Sequence, residues 1–114
     1  SYSQKKVELK KKYFGAYEGA IPSYKYDTGN DLINVEETTI RILIAEEIIN
    51  IEIGKIQNNG TYSVLFEGDK YYLLDCRMKG QLAGERVIVY KRGKQLSRDG
   101  LFPQPNSNLE KVKN

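Results

Sequence analysis

The sequence predicts an all-β fold: six to eight short strands running as an antiparallel meander and closing into a small barrel or curled sheet. Three observations carry that expectation. Short runs rich in Val, Ile, Tyr and Phe alternate with polar residues at a period of two. Turn chemistry, mostly Gly and Asn, separates them at short intervals. The chain has 114 residues, 39% of them hydrophobic, which suffices for one core and is too little for two ordinary domains.

Residues 1–12 form a lysine-rich lead-in, since Val7 and Leu9 are their only large aliphatics. They lack the apolar face of a stable helix, and an extended tether is the simplest expectation, although Lys and Glu also tolerate a helix. The position suits a mature envelope protein with its anchor upstream. The barrel domain is expected over 13–100. Tyr13 to Ala20 alternate aromatic and small residues, and Pro22 should stop pairing there. Residues 23–32 carry loop chemistry. Residues 36–56 fit both periods. Ile40, Leu43, Ile44, Ile48 and Ile51 have helical spacing, while Thr38, Ile40, Ile42 and Ile44 have strand spacing. The β-branched crowding favours two strands, about 37–44 and 48–56, joined at Ala45-Glu46-Glu47, with a helix as the alternative.

Asn58-Asn59-Gly60 is expected to turn the chain, because Asn and Gly accept positive φ. A strand at 61–66 should then place Tyr62, Val64 and Phe66 on one face. Gly68-Asp69 marks another turn. Along 70–76, Tyr71, Leu73 and Asp75 should oppose Tyr72, Leu74 and Cys76. Gly80 to Gly84 is a loop, and in the strand 85–91 Arg86, Ile88 and Tyr90 alternate with Val87 and Val89. Gly93 turns the chain into a short last strand at 95–98. Residues 101–114, with Pro103 and Pro105, are expected as a tail over the surface.

Composition narrows function. There is no histidine, which removes histidine acid–base chemistry and most zinc sites. A single cysteine, Cys76, allows neither an intrachain disulfide nor a thiolate metal cluster. No apolar run approaches the roughly 18 residues of a membrane-spanning helix. The net charge is +3, but it is unevenly spread. Lys5, Lys6, Lys10, Lys11 and Lys12 crowd the lead-in. Asp27 to Glu52 holds seven acids against Arg41 alone, and Lys70 to Arg98 holds eight bases against Asp75 and Glu85. A molecule with one basic and one acidic face is expected.

The run Tyr13-Phe14-Gly15-Ala16-Tyr17-Glu18-Gly19-Ala20-Ile21-Pro22 resembles the opening of the NlpE-like copper-resistance lipoprotein domain. That opening reads aromatic, x, Gly, x, Tyr, x, Gly, x, Leu, Pro, then Cys-x-x-Cys. Glu37-Thr38-Thr39-Ile40-Arg41-Ile42 is similar to that family's first long strand. The resemblance spans about 30 residues and implies a lipocalin-like barrel, lipid-anchored in the bacterial envelope, periplasmic or at the outer membrane. The chain departs from the pattern at the cysteine pair, where Ser23 stands, so the metal chemistry does not carry over: Cu(I) needs sulfur ligands, and Cys76 and Met78 are too few. Ala83-Gly84-Glu85-Arg86-Val87 and Tyr90-Lys91-Arg92-Gly93-Lys94 are similar to the two loops of periplasmic C-type lysozyme inhibitors, Ser-Gly-x-Arg-Tyr and Lys-Gly, with Ala83 in place of the serine. That family plugs an enzyme cleft.

No catalytic residue, metal ligand or cofactor is expected. Asp75 with Glu85 could pair as acid and base, Ser97 with Lys94 as a dyad, and Cys76 could be a nucleophile, but no motif supports any of them. Nine tyrosines point to binding. The candidate contact residues are Tyr24, Tyr26 and Asp27 in one segment and Arg86, Tyr90, Lys91, Arg92 and Lys94 in another. The expected function is occlusion of a partner protein, a toxin or a hydrolase, in the manner of an immunity protein or inhibitor. The alternatives are a carrier of a small apolar ligand and a binder of single-stranded nucleic acid, the latter disfavoured by the acidic middle third.

Overall fold

The computed structural model describes residues 7–82, 84–100 and 104–113. Among them the chain is all-β, with ten strands and no α-helix. Eight strands close a barrel: β1 (Gly15–Ile21), β4 (Thr38–Ile44), β5 (Ile48–Ile53), β6 (Ile56–Glu67), β7 (Tyr71–Met78), β8 (Glu85–Tyr90), β9 (Gln95–Arg98) and β10 (Ser107–Lys111). Each pairs antiparallel with its sequence neighbour, and β1 closes the ring between β10 and β4. The remaining two, β2 (Tyr24–Asp27) and β3 (Leu32–Val35), form a separate hairpin inserted between β1 and β4.

The isoleucine-rich segment resolves as strands for a visible reason. Pairing β4 with β5 sets Ile40 opposite Ile53, Ile42 opposite Ile51 and Ile44 opposite Ile49. Branched side chains face each other across the ladder, where they pack well, and a helix would have cost them rotamer freedom. The alternate positions carry charge outward: Arg41 meets Glu18 of β1 at 3.0 Å on the outer wall. Both partners are half-exposed there, so the pair adds little stability.

Inward positions fill the barrel. Tyr17, Ile42, Ile49, Tyr72, Leu74, Val87, Val89, Leu96 and Leu109 are essentially solvent-free. Each such side chain contributes roughly 1.5–3 kcal/mol of burial. One end is where the chain enters at Gly15, and it carries the β4–β5, β6–β7 and β8–β9 loops. Here the lead-in is not a free tether among its described residues. Leu9 and Tyr13 are buried, a short 3-10 turn spans Lys11–Tyr13, and the Tyr13 ring meets Tyr72 edge-on at 5.3 Å. The Tyr17 hydroxyl donates to the Tyr13 carbonyl at 2.8 Å. The opposite end carries the β2–β3 hairpin, the β5–β6 turn and the β7–β8 and β9–β10 loops.

Four expectations need correction. Asn58-Asn59-Gly60 is not a turn but the middle of β6; the chain turns at Gly54-Lys55, with Gly54 at φ 60 and Ile53 opposite Ile56. A positive φ at the first turn position alone is the II′ pattern, and Gly supplies it without strain. Phe66 does not share the face of Tyr62 and Val64, because a bulge between Val64 and Phe66 shifts the register and leaves Leu65 and Phe66 exposed. Residues 23–32 are not irregular loop but contain β2 and lead into β3. The stretch read as a C-terminal tail supplies β10, whose Leu109 lies inside the barrel between β1 and β9.

Candidate functional site

The uneven charge of the sequence is only partly sorted along the barrel axis: the entry end gathers most of the lysines but also holds Glu8, Glu46, Glu47 and Asp69, and the opposite end holds Lys25, Lys55 and Lys79 beside its acids. Because β1 starts, β8 ends and β10 ends at the entry end, Lys10, Lys11 and Lys12 gather there with Arg92, Lys94, Lys111 and Lys113. The cluster is locally tied, with the Lys111 ammonium donating to the Lys12 carbonyl at 2.8 Å. Asp27, Asp31, Glu36 and Glu37 are exposed on and beside the hairpin at the other end.

The predicted contact residues fall into separate places. Tyr24, Tyr26 and Asp27 lie on β2, at the hairpin end. Tyr90, Lys91, Arg92 and Lys94 lie at the entry end, where β8 passes into β9. Arg86 stands near the hairpin end of β8, about 13 Å of strand away from Tyr90. It faces outward, 4.0 Å from Asp75, and Asp75 is also 3.3 Å from Arg77. Ala83 lies outside the described residues, as do Lys5 and Lys6. Lys91 is half-buried in an ion pair with Glu67 at 2.7 Å, its ammonium 4.9 Å from the centre of the Tyr72 ring. The hydrogen bond between the two raises Lys91 and lowers Glu67 from their ordinary pKa values. Lys91 therefore braces the wall, while Arg92 and Lys94 are exposed.

The hairpin is built to project. Tyr24 packs on the barrel core and anchors its base. Tyr26 is paired with Ile33, on the same face as Tyr24 but beyond the core, and both are exposed. Leu32, on the opposite face, is 61% exposed. The tip is fixed by its own bonds. The Asp27 carboxylate accepts the Gly29 N–H at 2.8 Å, the Thr28 N–H donates to the Asp31 carbonyl at 3.0 Å, and the Asp31 N–H donates to the Thr28 hydroxyl at 3.1 Å. Asp27 thus shapes the turn, and the apolar contact surface is Tyr26, Leu32 and Ile33. Sequence reading missed Leu32 and Ile33 as contact residues; the available signal was an aliphatic pair inside a stretch of loop chemistry.

The conceivable catalytic pairs do not assemble. Asp75 points out of the barrel wall and Glu85 into it, although their strands are adjacent. The Ser97 hydroxyl donates to the Asn108 side chain at 2.8 Å, on the outer face of β9. The Cys76 thiol is fully buried, and burial, with Glu85 and Asp75 adding to it, pushes its pKa up to about 12. Native protein is accordingly expected to resist a thiol reagent at about pH 8, where the thiolate fraction is negligible, and to react with one equivalent once unfolded. Rapid labelling of native protein would show the thiol to be exposed. Among the described residues, no three acidic or cysteine side chains cluster as a metal site, and no helix is long and apolar enough to cross a membrane.

A buried ion pair was not foreseen. At the hairpin end, Arg98 donates to Glu85 at 2.6 Å inside the barrel, and the second Arg98 amino group donates to Gln104. The signal was parity. Glu85 shares its face with Val87 and Val89, and Arg98 with Leu96, so two charges stood at positions that alternation assigns to the core. No family model matches the chain, and no curated protein or solved structure matches it either.

Proposed function

We propose that this protein is a non-catalytic binding module of the bacterial cell envelope that neutralises a partner protein, a toxin or a hydrolase, by occlusion. The observation that carries the reading is the β2–β3 hairpin: outside the barrel ladder, anchored at its base, braced at its tip, with apolar side chains exposed on both faces. An isolated two-stranded hairpin is marginal in water, so a braced one held off the barrel presents contact area with part of its ordering cost already met. Tyr26, Leu32 and Ile33 would enter the partner's cleft, and the acids around them favour a cleft with a basic rim and speed encounter with it. The barrel interior also supports surface action over carriage of a large apolar ligand, because side chains fill it except for a small cavity of about 110 Å³ at one mouth. The envelope location rests on the resemblance of residues 13–22 to the lipoprotein domain.

A photo-cross-linking residue at Leu32, compared with one at Glu52 on the outer wall, tests the reading in a lysate of the encoding organism. One protein is expected to cross-link at position 32 and not at 52. Added to that protein, the native chain should abolish its activity at one-to-one stoichiometry. Ile33→Asp should weaken the complex by about tenfold or more, equivalent to 1.4 kcal/mol. Equal capture at both positions, or a captured protein whose activity is unchanged, would overturn the proposal.

A further inference from the structure

The mouth of the barrel at the hairpin end holds a cavity of about 110 Å³, its apolar side made by Ile51, Ile53, Ile56 and Met78 and its polar side by Glu85 and Arg98, with the amides of Asn58 and Gln81 also lining it. Its polar residues are unusually placed. Glu85 is 2% exposed and Arg98 3%, and Ser107 beside them on β10 is equally buried. Their mutual bonds leave atoms over. Glu85 Oε1 accepts from Arg98 Nη2, and Arg98 Nη1 donates to Gln104, yet Glu85 Oε2, Arg98 Nε and Ser107 Oγ have no partner. Each buried polar group left unmet costs about 1–3 kcal/mol. A fourth unmet atom, the Tyr72 hydroxyl, lies apart from these, toward the entry end beside Lys91, but three gathered at one mouth mark a place where something outside the chain completes the bonding.

We propose that this cavity is a binding site for a small zwitterion, an α-amino acid with a short aliphatic side chain. The chemistry selects it in three steps. The free acceptor on Glu85 and the free donor on Arg98 are adjacent through their shared ion pair, so the ligand must bring a donor and an acceptor close together. The Glu85–Arg98 pair is neutral as a unit, so a purely cationic or anionic ligand would add an uncompensated charge to a low-dielectric interior. A zwitterion adds none, its ammonium going to Glu85 and its carboxylate to Arg98. At about 110 Å³ the cavity is well below a drug-sized pocket and limits the ligand to the smallest amino acids, glycine and alanine. Ile51, Ile53 and Met78 supply an apolar wall for the alkyl group, and Ile56, 75% exposed, stands at the rim.

The test is titration of the full chain with glycine and L-alanine, followed by the methyl resonances of Ile51, Ile53 and Met78. Saturable shifts are expected with a dissociation constant of about 1 mM, with acetate and methylammonium each binding at least about tenfold more weakly. Glu85→Gln should remove the response. Ile56→Trp, which covers the rim without touching the ion pair, should remove it while leaving the melting temperature unchanged, so a folding defect in the first variant does not decide the matter. The proposal fails if neither amino acid gives a saturable shift up to about 10 mM, if acetate or methylammonium alone binds as well, or if the response survives Ile56→Trp. Cross-linking at Leu32 is read out separately, so the site and the occlusion reading fail or stand independently.

Discussion

Replacing Gly60 with valine is expected to destabilise the barrel by about 3 kcal/mol and to lower the melting temperature by roughly 10 °C. Valine is otherwise a favourable strand residue, so its intrinsic propensity works against this outcome. What overrides it is the approach of β7. Gly60 sits opposite Met78, and a Cβ built on it would overlap the Arg77 carbonyl oxygen and crowd the Met78 sulfur and Cα. Backbone cannot move aside as a flexible side chain can, so β6 and β7 must separate, and Asn58, Thr61 and Tyr62 lose register together. Urea unfolding monitored by tyrosine fluorescence measures the effect. A cost below about 1 kcal/mol would show that β7 does not pass over this residue. Gly29→Val is the control. Gly29 lies at the hairpin tip at φ 92 with open space around it, so any cost there comes from backbone strain and should leave the barrel's cooperative unfolding intact.

Gly60 also shows where sequence reading stops. Local turn chemistry makes Asn58-Asn59-Gly60 the natural hairpin, yet the chain turns at Gly54-Lys55, where Ile53 pairs with Ile56, and the longer-range pairing of β7 across Gly60 holds residues 58–60 in strand. Where the pattern was strong in itself, it was legible. The alternation in β7 and β8 and the turns at Gly68-Asp69 and Gly93 follow from short-range preference, whereas residues 36–56 fitted both periods and only their β-branched composition favoured the strands β4 and β5. Strand β10 was not legible because Ser107-Asn108-Leu109-Glu110-Lys111 offers one large apolar side chain, and only closure of the ring recruits it. The hairpin was hidden differently: its tip is held by side-chain bonds of Asp27 and Thr28, the residue types that otherwise mark irregular loop. Of the expected contact residues, Tyr26, Arg92 and Lys94 are exposed. Tyr24 and Lys91 are drawn inward to support the wall, because an aromatic ring or a long ammonium stem beside a barrel mouth finds a neighbour to cover.

Arg98→Met is expected to cost about 3–5 kcal/mol, because it leaves the Glu85 carboxylate buried without its counter-charge. The melting temperature should fall by at least about 10 °C, measurable by calorimetry. Removing both charges together should behave differently. In Glu85→Leu with Arg98→Met, the two side chains join Val87, Leu96 and Met78 in an apolar mouth, and the double variant should regain all but about 1 kcal/mol of the loss, or exceed native stability. A double-mutant cycle separates the pair's coupling from the cost of stranding one charge. If Arg98→Met costs under about 1 kcal/mol, the carboxylate is not confined as the geometry has it. A double variant as stable as the native chain would show that the ion pair is not retained for stability; with the amino-acid site proposed above, that variant should fold normally and fail to respond to glycine or alanine.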